Sequence, residues 1–476
     1  MFKIKRSFII IVFCFVICKL YAYDIEVLND DQVSIFYNYI NDGKELEVAK
    51  APYSYSGIVN IPEEVTYMNK TRKVTSIGYS AFSFCLELNS VAIPNSVISV
   101  AGNAFMGCSS LTSIVLPTSL TSIGISAFQD CSSLTSITIP KGVTSIGVGA
   151  FAGCSSLTSI TIPEGVTSIG GRAFGGCSSL TSITIPEGVT SIEDGMFGSC
   201  SKLKTVDMPN SITSIGSNAF NNCQSLLSVV LPSKLEIIKF SAFEGCVNLS
   251  EVIIPNSVTS IENGAFMDCF SLDSLVIPNG ITSISDYLLF RCKELKKVTI
   301  PTSVTSIGYC AFYKCSSLTS LILPNSITSI GENAFKGIDF TTIVSQIDEP
   351  FTICGISNDG SVFSENTFNN TMLYVPAGSL NKYVITEGWK DFLNISEMTD
   401  GIVHVNTLPL DITNSDGLIR VKGIDSGIKV CVYNINGVFA GSDVSSDGTA
   451  VINTNLPKGS IAIIKIGDCC VKRLLN

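Results

Sequence analysis

The chain contains one histidine, His404, and one tryptophan, Trp389, in 476 residues. A single histidine excludes a His-rich metal site and leaves almost no room for histidine-based proton transfer. Charged residues make up only 15% of the chain, and the formal net charge is -10. That acidic balance argues against a nucleic-acid surface, which needs clustered Lys and Arg. Mean hydropathy is high at +0.41. Even so, no run of about 18 apolar residues exists, so no membrane-spanning helix is expected. The HExxH, GxSxG, P-loop and EF-hand patterns are all missing. No catalytic residue, cofactor or metal site is expected, and the chain reads as a non-enzyme.

What the chain does have is 18 cysteines and an ordered start. Lys3, Lys5 and Arg6 precede an apolar run from Phe8 to Cys18, followed by Lys19-Leu20-Tyr21-Ala22. This charged, apolar, small-residue order is that of a secretory signal. A buried N-terminal helix fits the order less well. Ile17 before Cys18 does not suit a lipoprotein site. Residues 1–22 are therefore assigned to a signal peptide, and the chain is expected to be secreted or displayed at the cell surface.

Cysteine recurs at Cys85, Cys108, Cys131, Cys154, Cys177, Cys200, Cys223, Cys246, Cys269, Cys292 and Cys315, with every step 23 residues. Proline recurs in phase from Pro94 to Pro324 at the same step of 23. One unit runs from Cys131 to Gly153. Leu134, Ile137 and Ile139 alternate with Ser136 and Thr138, which predicts a strand ended by Pro140. Val143 to Gly147 predicts a second, shorter strand, and Ala150-Phe151 completes the apolar set. One such unit cannot bury its own apolar face, so neighbours must stack, with parallel strands about 4.8 Å apart. The expected fold is a β-rich repeat solenoid of about twelve units over residues 61–340. Pro62 precedes Pro94 by 32 residues, so the first unit carries extra chain around Thr66 to Lys70. Met196-Phe197 and Leu288-Leu289 replace Ala-Phe, and Ile338 stands where the next cysteine would fall.

The pattern LxxLxLP followed by VTSIGxxAFxxC resembles the BspA-type leucine-rich repeats of bacterial surface and secreted proteins. The resemblance covers about residues 58–340. It implies a curved leucine-rich-repeat solenoid with a parallel sheet on the concave face. It also implies adhesion to host proteins or to other bacterial cells.

The flanks read as covers and a tail. Residues 23–60 alternate around Asn41-Asp42-Gly43, a hairpin signal, and form an N-terminal β cap over the open edge of the first unit. Residues 341–398 lose the register and form a C-terminal cap, with Tyr383, Trp389 and Phe392 as apolar lids. A carbohydrate-stacking Trp389 is the alternative. Residues 399–408, which include His404, form a linker. Residues 409–476 alternate between Gly-containing turns and predict a small all-β, sandwich-like domain that folds separately. Val432 to Gly437, Leu456-Pro457-Lys458-Gly459 and Val471-Lys472-Arg473 resemble the C-terminal sorting domain of the type IX secretion route. Ile461 stands where that family usually has an aromatic residue.

An odd column of eleven cysteines cannot pair completely within itself. Stacked side chains leave at about 4.8 Å with parallel Cα–Cβ vectors, which does not suit a disulfide. Buried thiols are expected, ahead of scattered disulfides or a metal ladder. The state of Cys310, Cys354, Cys431, Cys469 and Cys470 stays open; Cys431 has Cys469 and Cys470 as possible partners. Glu164 and Glu187, one unit apart, mimic a carboxylate pair but share their turn position with Lys141. Outward residues of the first strand form hydroxyl ladders in early units, as at Ser136, Thr138, Ser159, Thr161, Ser182 and Thr184. Later units vary, with Thr205, Asp207, Ser228, Val230, Glu251, Ile253, Ser274, Val276, Lys297 and Thr299. Recognition needs variation on a regular frame, so these residues are the candidate partner site. The expected partner is an unidentified protein or glycan of a host or bacterial surface, bound by a monomer. A spacer that displays another module, with no ligand of its own, is the competing reading.

Overall fold

The computed structural model describes residues 23–357 and 359–398, and within 411–474 all but 416–417, 423–426, 428, 436–437, 447–448, 458 and 467–468. The signal segment 1–22, the linker 399–408 and His404 lie outside the described residues. Two compact units divide at Ser260 and Ile261.

The first unit opens with three antiparallel strands, Ile25–Leu28, Ser34–Ile40 and Glu45–Val48. Asn41, Asp42 and Gly43 all adopt positive φ (50°, 55° and 74°), which turns the chain between the second and third. The third strand pairs in parallel with Lys70–Ile77, where stacking begins. The extra chain of the first repeat forms a hairpin. Glu64–Tyr67 pairs antiparallel with Lys70–Ile77 across Met68-Asn69, both at positive φ.

Each later rung carries up to three ladders. The two-residue strands Ser99–Val100, Ser122–Ile123, Ser145–Ile146 and Ser168–Ile169 pair in parallel, identical residue to identical residue but for Val100. Three-residue strands form a second ladder, with Ser136–Thr138 on Ser159–Thr161 and Ser182–Thr184 on Thr205–Asp207. In the rung from Cys108 this strand shrinks to one bridge, Ala92 to Val115. The third ladder lies in the turn. There the N–H groups of Gly149, Phe151 and Gly153 donate to Gly171, Ala173 and Gly175 of the next rung at 2.9, 2.8 and 2.7 Å. The intervening N–H groups of Ala150, Ala152 and Cys154 donate within their own rung. This alternation goes with two columns of left-handed residues, four positions apart. Ser126, Gly149 and Arg172 stand in one column; Asp130, Gly153 and Gly176 stand in the other.

Between the ladders the apolar residues close the core. Leu134, Ile137, Ile139, Val143, Ile146, Ala150, Phe151 and Cys154 are all buried. Phenylalanines from Phe82 to Phe243 stack face to face along the unit, with ring centroids 5.1 to 5.8 Å apart. Met196 is fully buried in place of alanine, so the column accepts any apolar residue of fitting volume.

The second unit repeats the pattern from Ile261. Ser283–Ile284, Ser306–Ile307 and Ser329–Ile330 form the short-strand ladder, and Ser274–Val276 pairs with Lys297–Thr299. Leu288, Leu289 and Ile338 are buried at the variant core positions. Beyond them the 23-residue register ends but the parallel ladder continues. Ser320–Leu323, Thr342–Ser345, Met372–Val375 and Asn394–Glu397 lie side by side. Longer excursions between these strands hold a short helix, Glu365–Asn370, and an aromatic cluster around Trp389.

The tail is all-β. Asp411–Ser415, Leu418–Lys422 and Thr449–Asn453 form one antiparallel sheet. Lys429–Asn434, Phe439–Val444, Ile461–Ile466 and Cys469–Leu474 form another. Ile419, Val421, Val430, Val432, Ala450, Ile452, Ala462 and Ile464 make its core. Cys469–Leu474 also pairs antiparallel with Asn394–Glu397, with Ser396 opposite Val471. The last parallel strand of the repeat ladder is thereby covered. Cys431 and Cys470 lie opposite Lys465 from its two sides. Their Cα atoms are two strand spacings apart, about 9–10 Å, which is too far for a disulfide. Cys431 and Cys354 are free thiols.

Candidate functional site

The three-residue strands alternate exposed, buried, exposed, because successive side chains leave a strand on opposite sides. Their inward residue anchors the rung, and the two outward residues face solvent. In the first unit Ser136, Thr138, Ser159, Thr161, Ser182 and Thr184 make an even hydroxyl surface. Thr205 and Asp207 follow, in register with Ser182 and Thr184. Ser228 then lies beside Glu251 and Val230 beside Ile253. Val230 is 83% exposed and Ile253 73%, so two branched apolar side chains stand together in water. Leu227, just before this strand, is exposed as well.

In the second unit Ser274 is in register with Lys297, and Val276 with Thr299. All four are exposed. Ser320 and Ile322 are exposed on the strand Ser320–Leu323, which ends at Pro324. Six of the ten candidate residues lie in the first unit and four in the second.

A shallow groove of about 480 Å³ runs along the short-strand ladder of the second unit. Ser283, Ser306 and Ser329 line it with Asn263, Asp286 and Tyr309. Asp286 is spoken for, since its Oδ1 accepts the backbone N–H of Tyr309 at 2.7 Å. No signal in the sequence marks this groove, because serine stands at the position of Ser283 in most units.

Trp389 is fully buried, and its Nε1 donates to the carbonyl of Phe351 at 2.8 Å. It presents no ring face to a sugar. Glu164 and Glu187 are exposed in turns. Among the described residues, no group of three His, Cys, Asp or Glu side chains is placed to hold a metal ion. No helix among them is long and apolar enough to cross a membrane.

The column thiols have a specific partner. Cys108, Cys131, Cys154, Cys177, Cys200 and Cys223 each donate to the carbonyl of the phenylalanine in the preceding rung, at 3.0 to 3.2 Å. In the second unit Cys292 and Cys315 do the same to Phe266 and Leu289. Burial disfavours the thiolate and pushes Cys131 and Cys200 up to about 12. Cys154, Cys177 and Cys292 are raised well above an ordinary thiol. Alkylation of the native protein without reductant is therefore expected to leave this column unmodified. Raising the pH from 7 to 9 should not change that, whereas the same cysteines label fully in denaturant. Peptide mapping by mass spectrometry checks this, and inter-rung disulfides in most of the column would refute it.

The family described as "BspA type Leucine rich repeat region" matches residues 60–174, 146–272 and 236–373, in 6 copies. Among solved structures, a leucine-rich repeat protein from Bacteroides ovatus is 29% identical, with a TM-score of 0.62, over 79% of this chain and 100% of that one. A leucine rich cell surface protein from Faecalibacterium prausnitzii is 26% identical, with a TM-score of 0.48, over 77% and 98%. The leucine-rich repeat protein of T. pallidum is 30% identical, with a TM-score of 0.37, over 40% and 86%. No curated protein matches the chain.

Proposed function

We propose that this chain, which belongs to the BspA-type leucine-rich-repeat family, is a non-enzymatic adhesion protein of the bacterial surface or medium. It binds a protein partner through the outward face of its three-residue strands. The observation that carries this reading is the side-by-side pair Val230 and Ile253, 83% and 73% exposed on a flat, rigid ladder. Apolar side chains held in water on a sheet gain free energy when a partner covers them. Asp207 and Glu251 border the pair and supply the polar selectivity that a protein interface needs. In the second unit Val276 and Lys297 offer the same mixture.

The charged-then-apolar order of residues 1–22 supports export. The likeness of residues 409–476 to a sorting domain supports the type IX route; its last strand, Cys469–Leu474, also extends the repeat ladder by pairing with Asn394–Glu397. The even hydroxyl ladder from Ser136 to Thr184 favours a structural role for those rungs, with recognition left to the variable ones.

The test is retention by immobilised host-matrix and bacterial-surface proteins, comparing the full chain with Val230→Lys/Ile253→Lys. Both side chains point into solvent, so melting should be unchanged to within about 0.5 kcal/mol per site. A partner held by the parent and released by the double variant is the expected result. Equal retention of both would remove this face from the function. Protease shaving of intact cells reads the surface location directly.

A further inference from the structure

Three neighbouring rungs of the second unit carry a cluster of cations and aromatic rings that earlier rungs lack. The residue after the column cysteine is serine at Ser109, Ser132, Ser155, Ser178 and Ser201, but becomes Phe270 and then Lys293. The two residues before the cysteine become Phe290-Arg291 and Tyr313-Lys314. The Lys293 ammonium sits 4.6 Å from the centre of the Phe270 ring. The Arg291 guanidinium lies 5.6 Å from the same ring and 5.9 Å from that of Phe290. Phe290 stacks on Tyr313 at 5.1 Å, and the Lys314 ammonium is 5.2 Å from the Tyr313 ring centre. The six side chains are thus one continuous surface.

Only part of its charge is answered internally. Arg291 is 3.3 Å from Asp268, and Lys296 pairs with Asp273 at 2.5 Å. Among the described residues, Lys293 and Lys314 make no ion pair, and both are exposed. In a chain of net charge -10 this is a local concentration of unanswered positive charge. The rings beneath hold the ammonium groups by cation–π attraction and keep their edges half-exposed.

We propose that this surface binds an anionic polysaccharide, one carrying uronic carboxylates or sulfates. Ring faces suit the C–H faces of sugars, and the interleaved cations suit acidic groups spaced along them. Arg291 and Lys314 repeat along the stack at about 4.8 Å, comparable to the advance of one sugar in an extended polymer. A nucleic acid suits the surface less well. It carries one charge per about 3.4 Å of strand, so its phosphates would also run over Asp268, Asp273 and Glu294. A sparser polyanion avoids those carboxylates. This surface lies off the strand face and does not rest on the protein partner proposed there.

The full chain is tested by biolayer interferometry against immobilised chondroitin sulfate and polygalacturonate, with dextran, oligothymidylate and polyglutamate as comparisons. The variant is Lys293→Gln/Lys314→Asn. Asparagine tolerates the left-handed backbone of Lys314, so the fold is kept. Binding to at least one acidic polysaccharide is expected, weakening with salt, with no binding to dextran. Two lost charge-assisted contacts should reduce that affinity about tenfold or more at an unchanged melting temperature. Phe270→Leu keeps the charges and should still weaken binding severalfold. Absence of binding to either polysaccharide would overturn the proposal, as would indifference to the double variant. Oligothymidylate or polyglutamate binding as tightly and through the same lysines would overturn it too.

Discussion

Replacing Ile146 by aspartate is expected to destabilise the repeat stack by more than about 3 kcal/mol. Ile146 is 1% exposed and lies in parallel register between Ile123 and Ile169. A carboxylate there meets isoleucine above and below, with no cation beside it. It must enter charged without a partner or take up a proton, and either route raises the free energy of the folded state. In a stack held by nearest-neighbour contacts, both interfaces of the rung are damaged at once. Thr144→Asp is the control. Thr144 is exposed two residues earlier on the same strand approach, and its substitution should cost under about 1 kcal/mol. Urea titrations of the two variants read the difference, and equal losses would mean the inward and outward faces are reversed.

The second large effect is expected at the end of the repeat ladder. Trp389→Ala should cost about 3–5 kcal/mol, the range for emptying a buried aromatic site. The indole lies 5.3 Å from Tyr383 and 6.1 Å from Phe392 by ring centroids, edge-on to Phe351 at 6.4 Å and tilted against Phe363 at 6.3 Å. Beyond its area it carries a hydrogen bond to the Phe351 carbonyl. Truncation leaves a cavity among four rings and a buried carbonyl without its donor. Trp389→Phe keeps much of the packing and loses the bond, so about 1–2 kcal/mol is expected. Thermal melts followed by hydrogen exchange would place the loss at this end of the second unit. A Trp389→Ala melt superimposed on the parent would show that the cluster is not part of the cooperative core.

Much of the architecture was legible because the repeat asks one question of the chain many times. Apolar residues recur at the positions of Leu134, Ile137, Val143, Ile146 and Phe151 in unit after unit, and these can meet only if the units stack in register. The outward setting of Val230, Ile253 and Lys297 follows from strand alternation alone. The left-handed columns were not legible. Phe84, Arg172, Tyr287 and Cys310 hold positive φ with residues that disfavour it. Nothing local predicts this, because the inter-rung hydrogen bonds of the turn ladder impose it. The same ladder accounts for Cys310, which stands in a left-handed column and not in the thiol column.

Composition and period therefore determined the repeat, its apolar interior, the family and the hydroxyl-rich outer faces. These depend on contacts between equivalent residues one unit apart, which a constant spacing of 23 makes visible. Three things were decided only by the tertiary structure. They are the pairing of Ser396 with Val471, the burial of Trp389 among rings from distant segments, and the joining of Phe270, Arg291 and Tyr313 into one surface. Each brings unlike residues together across the repeat or beyond it. Such contacts are set by where the chain returns in space, and no periodicity in the sequence encodes them.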